Sequence, residues 1–228
     1  IKIYKKEGYD WANKSVKYYV GANPNEKVSF SKAVAYNLVD GKIEKTKLKS
    51  DGEFNEKINK YWAERKITLP NVKEGTVIEY KYTIESPYAS SFPEWEFQAS
   101  IPVNYSQYQT SIPEYYTYSS HFKGFVVPKV SKKTENGALT FNSKNRSDGL
   151  VTKTTVSNHK IDYKINTTTY TEENLPGLKD EAYVNNINNY LSAIVHELSM
   201  TKLPNSLEKH YSTDWQSVVK TIYDNEDF

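Results

Sequence analysis

The 228-residue chain has no cysteine. Disulfide frameworks, thiolate nucleophiles and thiolate metal ligands are therefore excluded, and with them cysteine-protease and transglutaminase chemistry carried by this polypeptide. Glycine is scarce as well, with 9 residues, and neither G-x-G-x-x-G nor G-K-[ST] occurs, which leaves little from which to build a phosphate cradle. No cofactor is expected. Of the 30 cationic residues only Arg65 and Arg146 are arginines, the side chains that clamp phosphates and read base edges in bidentate fashion. Nucleic acid is accordingly not an expected partner. No apolar run approaches the roughly 18 residues of a spanning helix, and mean hydropathy is -0.75, so no membrane span is expected. The four histidines, His121, His159, His196 and His210, lack the H-x-x-x-H spacing that puts two ligands on one helical face. His196-Glu197 begins like a zinc-protease signature, but Ser199 and Met200 stand where the second ligand belongs, and no metal is expected.

What is abundant is tyrosine, 20 residues beside 4 tryptophans. Tyrosine packs its ring and wets its hydroxyl, which suits half-buried strands or a surface that stacks on sugars and peptides. The net charge of +2 conceals an asymmetry: residues 1–170 carry 26 Lys+Arg against 18 Asp+Glu, and residues 171–228 carry 4 against 10. A swing of that size marks a module boundary. The expected organisation is a β-sandwich domain over 1–170, followed over 171–228 by a connector, an additional strand and a helix.

Period-two alternation dominates the first three quarters. Over residues 77–85, Ile78, Tyr80, Tyr82 and Ile84 share one face, the mark of a half-buried strand. Val34, Tyr36 and Leu38 alternate in the same way into Asp40-Gly41, a dipeptide suited to a tight hairpin, with residues 42–48 as the return strand. Ile161, Tyr163 and Ile165 repeat the pattern, and shorter strands are expected at 16–20, 95–99, 124–130 and 139–141. Residues 55–64 read as a short helix, because Ile58, Tyr61 and Trp62 fall at helical spacing. Residues 190–203 suit a strand through Leu191, Ala193 and Val195, and a helix equally well through Leu191, Ile194, Val195 and Leu198. Thr213 and Gln216 fit a capping box ahead of an amphipathic stripe of Trp215, Val218, Val219 and Ile222. That helix meets no Gly or Pro stop, so further chain is expected after it.

No constellation stands out as catalytic. There is no G-x-S-x-G elbow. Glu94 and Glu96 flank Trp95 and would lie about 7 Å apart on one strand face, in the range of an inverting glycosidase pair. A Lys- and Glu-rich solvated face produces such pairs by chance, and no catalytic residue is assigned. Tyr115, Tyr116, Tyr118, His121 and Phe122 form the densest aromatic patch, and since neighbours on a strand point to opposite faces, not all of them can be core. Trp95, Tyr115, Tyr116, Tyr118, His121 and Trp215 are the candidate ligand or domain-contact residues.

Three blocks carry a family resemblance. They are Ala35-Tyr36-Asn37-Leu38-Val39-Asp40-Gly41-Lys42-Ile43, then Leu69-Pro70-Asn71-Val72-Lys73-Glu74-Gly75-Thr76-Val77-Ile78-Glu79-Tyr80, then Phe97-Gln98 with Ile101-Pro102-Val103. Together they resemble the domain of unknown function found N-terminal to transglutaminase-like domains in exported bacterial proteins. Asn174-Leu175-Pro176-Gly177-Leu178-Lys179-Asp180-Glu181 and Asp214-Trp215 extend the match. The resemblance implies a mainly β fold, an extended sandwich or saddle similar to the N-terminal β-domain of zinc aminopeptidases, with a C-terminal helix. It implies a transglutaminase-like domain with a Cys-His-Asp triad after residue 228, and a periplasmic or cell-surface location. No catalytic residue transfers to this chain. The expectation is a non-catalytic accessory domain that packs on its downstream neighbour; the alternative is a carbohydrate- or peptide-binding module using the Tyr-rich surface.

Overall fold

The computed structural model describes residues 1–90, 92–147, 153–179, 182–211 and 214–224. Packing divides the chain into two units, Ile1–Ala89 and Ser90–Phe228, both mainly β.

In the first unit, β1 (Asn13–Tyr19), β5 (Trp62–Thr68) and β4 (Glu53–Lys57) form one antiparallel sheet, and β3 (Lys42–Lys47), β2 (Lys27–Val39) and β6 (Val77–Glu85) form another. The expected strand over 77–85 and the hairpin at Asp40-Gly41 are present. Asp40 (φ 48°) and Gly41 (φ 75°) both take the left-handed backbone that a two-residue hairpin requires. The inward row of β2 is made by Ala35 and Asn37, while Leu38 is 70% exposed. Ala35 packs with Ile3, Ala12, Leu69 and Ile78. Asn37 ties the loop before β6 to the sheet: its Nδ2 donates to the Asn71 carbonyl (2.9 Å), and its Oδ1 accepts from Thr76 Oγ1 (2.5 Å). Lys73 N in turn donates to Thr76 Oγ1 (2.9 Å), so no member of this buried network lacks a partner.

Residues 55–64 correct an expectation. They form the β4–β5 hairpin, not a helix, with Lys57 opposite Ala63. Asn59 decides the outcome, since its Oδ1 accepts from both Tyr61 N (2.8 Å) and Trp62 N (3.0 Å) and offers the backbone a turn in place of helical bonds. Trp62 then meets Tyr19 of β1 edge-on at 5.3 Å.

The second unit places β10 (Lys129–Ser147), β11 (Lys153–Leu175) and β8 (Val103–Pro113) in one antiparallel sheet. In the other sheet β12 (Ala193–Thr201) is central. β9 (Tyr116–Lys123) runs along one edge of it, and β7 (Trp95–Glu96) and β13 (Lys209–His210) share the other edge. Tyr108 and Tyr170 from the first of these sheets pack with Ile194 from the second and with Phe97, just after β7, so the two sheets face each other across one core. The charge change after residue 170 falls inside β11.

Several expected boundaries move. Residues 190–203, open between strand and helix, contain strand β12. The strand expected at 124–130 is a loop that gives way to β10 only at Lys129, because Gly124 turns the chain at φ 74°. The ladder expected over 95–99 ends after Glu96. The strand at 139–141 is part of a 19-residue strand paired along its whole length with β11. Helix α1 (Trp215–Tyr223) is present, but its capping box joins Asp214 to Ser217, with Ser217 N donating to Asp214 Oδ1 (2.7 Å). Thr213 lies outside the described residues.

Candidate functional site

Ser192, just before β12, organises one edge of the second unit. It is fully buried and every polar group of it is engaged. Its N–H donates to Gln98 Oε1 (3.2 Å), its carbonyl accepts from Phe97 N (2.9 Å), and its Oγ accepts from Phe125 N (3.2 Å) and Val126 N (3.0 Å). Gly124 allows this approach, since a Cβ there would stand 2.7 Å from Ser192 Cα. The result is a knuckle between β9 and β10 with an anchored backbone and outward side chains. Phe125 is 80% and Val127 86% exposed, and Phe125 contacts the exposed Tyr190 ring at 6.0 Å. Two large apolar side chains thus stand in water on a hydrogen-bonded backbone, which makes this knuckle the candidate contact surface of the unit. A second apolar surface is the stripe of α1, where Trp215 is 81% exposed and Val219, Ile222 and Tyr223 are exposed beside it.

Inside the same unit a chain of rings runs from Trp95 to Tyr108 (5.6 Å, stacked), to His196 (5.6 Å), to Phe92 (5.3 Å) and to Tyr118 (5.0 Å, edge-on). His196 is buried, and its Nδ1 has no hydrogen-bond partner. Among the described residues no carboxylate is hydrogen-bonded to it to orient it as a general base. Burial holds its pKa below the ordinary imidazole value of 6.5. Burial also pushes the Tyr108 hydroxyl up to about 12, with Tyr170 adding to the shift. Among the described residues no group of three His, Asp or Glu side chains could hold a metal ion.

A pH dependence follows from His196. Below about pH 6.5 the unfolded chain binds a proton that the folded unit resists, so stability is full above that value and declines as pH falls toward the lowered folded pKa. Each unit of lowering is worth about 1.4 kcal/mol. His196→Leu is expected to weaken this acid-side loss. Urea unfolding of both proteins at about pH 7.5 and about pH 5.5 checks it, and an equal loss in the two proteins would refute it.

The structure joins two of the six candidate residues and separates the rest. Trp95 and Tyr118 belong to the ring chain through His196, and Trp95 Nε1 also donates to Ser106 Oγ (3.2 Å). Tyr115 rests on Tyr163 at 5.9 Å, and Tyr116, half-buried, opens β9 opposite Thr201. His121 points to the opposite face of β9 from Tyr118, exposed, with Nε2 3.7 Å from Glu197 Oε2. Trp215 lies on α1. Glu94 and Glu96 do not act as a matched pair, because Glu94 holds Lys123 Nζ at 3.0 and 3.2 Å. Gly124 and Ser192 were not legible as site residues: a glycine before Phe125-Val126-Val127 reads as a strand start, and nothing in the sequence announces that a serine 68 positions later captures its turn.

The fold has a solved counterpart. A crystal structure described as that of a "putative protease" from Parabacteroides distasonis ATCC 8503 superposes with a TM-score of 0.58 at 13% identity over 86% of this chain. The chain spans 35% of that protein's length, and the likeness concerns the fold alone. No match is found among curated proteins. A family described as a domain of unknown function with a solved structure, DUF3857, matches residues 1–147, which include both sheets of the first unit and the segment carrying Gly124 and the knuckle. The chain belongs to the DUF3857 family.

Proposed function

We propose that this chain is a non-catalytic accessory domain of an exported bacterial protein, which packs on and positions a downstream transglutaminase-like domain. The anchored knuckle carries this reading, since Phe125 and Val127 are held ready for a surface that the unit itself does not provide. Burying both side chains is worth about 3–6 kcal/mol before ordering costs. The α1 stripe supplies further apolar area at the end of the described chain. Support also comes from the fold likeness to a far longer protein, of which a unit like this one makes up 35%. On this reading the sandwich plays the part that the N-terminal β-domain of zinc aminopeptidases plays beside its catalytic neighbour, in the periplasm or at the cell surface. The carbohydrate- or peptide-binding alternative has less support, because Trp95, Tyr115 and Tyr118 already contact other rings. Extending the polypeptide by the downstream domain is expected to raise the melting temperature of this unit by roughly 5 °C or more. An unchanged melting temperature would contradict docking.

A further inference from the structure

Beside the stretch that follows β7, Leu178 N donates to the Ala99 carbonyl (2.9 Å), Ile187–Asn189 form a single helical turn, and Ser192 N donates to Gln98 Oε1 (3.2 Å). Leu178 and this turn line a pocket of about 260 Å³ together with Glu96 and Gln98. Trp95 and Phe97, which alternate with these two in sequence, pack in the core. Leu178, Ile187 and Leu191 supply aliphatic walls, and Asn188 adds a second amide.

Among the described residues Glu96 is the one charged residue in this lining, and of the two glutamates that flank Trp95, Glu94 is matched by Lys123. Glu96 is exposed and has no hydrogen bond or ion pair among the described residues, and the buried Gln98 commits its carbonyl to Ser192, leaving its amide NH₂ as a donor. A carboxylate beside aliphatic walls complements a cation on a short alkyl chain. An anion would be repelled, and a purely apolar ligand would desolvate the carboxylate without replacing its hydrogen bonds. We propose that this pocket binds the primary ammonium end of a short alkyl chain, the group shared by free alkylamines and lysine side chains. The site uses Glu96 and Gln98, whereas docking uses Phe125 and Val127, so either reading can fail without the other.

The test is an NMR titration of the isotope-labelled chain with n-butylamine, with Nα-acetyl-lysine methylamide, and with n-butanol as the neutral control. Saturable shifts are expected at Gln98, Asn188 and Leu191, with a dissociation constant on the order of 1 mM. Glu96→Gln is expected to weaken binding about tenfold through loss of one charge-assisted hydrogen bond, with the spectrum elsewhere unchanged. Saturation by the lysine derivative assigns polypeptide lysine as a source, and saturation by the amine alone assigns a free amine. The proposal is overturned if neither amine saturates these signals, if Glu96→Gln binds equally well, or if n-butanol binds as tightly as n-butylamine.

Discussion

Gly124→Ala is expected to destabilise the second unit by about 3 kcal/mol. Two costs add. The backbone at φ 74° is one that residues with a Cβ adopt at a cost of about 1–2 kcal/mol. The new Cβ would also stand 2.7 Å from Ser192 Cα and 2.9 Å from the Leu191 carbonyl oxygen, backbone atoms that cannot swing aside. Overpacking of this kind costs about 1–3 kcal/mol. Gly41→Ala isolates the first cost, because Gly41 has φ 75° but nothing within 4 Å of the added Cβ. The fall in urea midpoint relative to the unsubstituted chain, with each variant followed in its own unit, should therefore be larger for Gly124→Ala. The same displacement pulls Phe125 N and Val126 N from Ser192 Oγ, so the knuckle loses its anchors along with the stability. Equal falls would show that the approach of Gly124 to Ser192 does not constrain the fold.

Phe97→Ala is expected to cost about 3–5 kcal/mol, the largest loss of any single truncation considered. Phe97 is 2% exposed and packs with Tyr108, Tyr170, Leu175 and Ile194, so its removal leaves a cavity where the two sheets meet. The rigid rings of Tyr108 and Tyr170 limit how far that cavity can collapse. Its N–H bond to the Ser192 carbonyl is a backbone bond and survives the substitution, which confines the effect to packing. Phe54→Ala is the matched control, since Phe54 is exposed on β4 and its loss should stay within about 0.5 kcal/mol. A cost for Phe97→Ala below about 1 kcal/mol would mean that the sheets do not share a core there.

How far the fold could be read from residues depends on whether the deciding contact is local. The strand Val77–Glu85 and the Asp40-Gly41 turn are written in alternation and in a dipeptide with its own backbone preference, and both were legible. Residues 55–64 misled because Ile58, Tyr61 and Trp62 have helical spacing, while the deciding interaction is one amide oxygen, Asn59 Oδ1, taken by two backbone N–H groups. The long β10–β11 pair was visible only as fragments around Leu139 and Ile161. Most of its other positions are Thr, Asn, Ser and Lys, which carry no period-two signal yet pair along the ladder from Lys129 opposite Thr171 to Ser147 opposite Lys153. At the candidate site the sequence grouped Tyr115, Tyr116, Tyr118, His121 and Phe122, but pleat geometry divides them: Tyr118 meets Phe92 and Phe122 meets Tyr170, while Tyr115 rests on Tyr163 and His121 lies near Glu197. The centre of the ring chain, His196, reads in the sequence as the start of a zinc motif and is set aside there for want of a second ligand. What places it among rings is the pairing of β12 with β9 and the stacking of one sheet on the other, both long-range. The Gly124–Ser192 contact is likewise a meeting of distant segments, for which single-sequence reasoning has no handle.

The central claim is that an ordered apolar knuckle is kept exposed here so that a neighbouring domain can cover it. Phe125→Ser combined with Val127→Ser tests it, introduced both into this chain and into the polypeptide extended by the downstream domain, with thermal unfolding of all four proteins. In this chain alone the double substitution should change stability by no more than about 0.5 kcal/mol, because both side chains already lie in water. In the extended polypeptide it should abolish most of the stabilisation that the downstream domain confers. An extended polypeptide that keeps its full melting temperature with both serines in place would contradict the account.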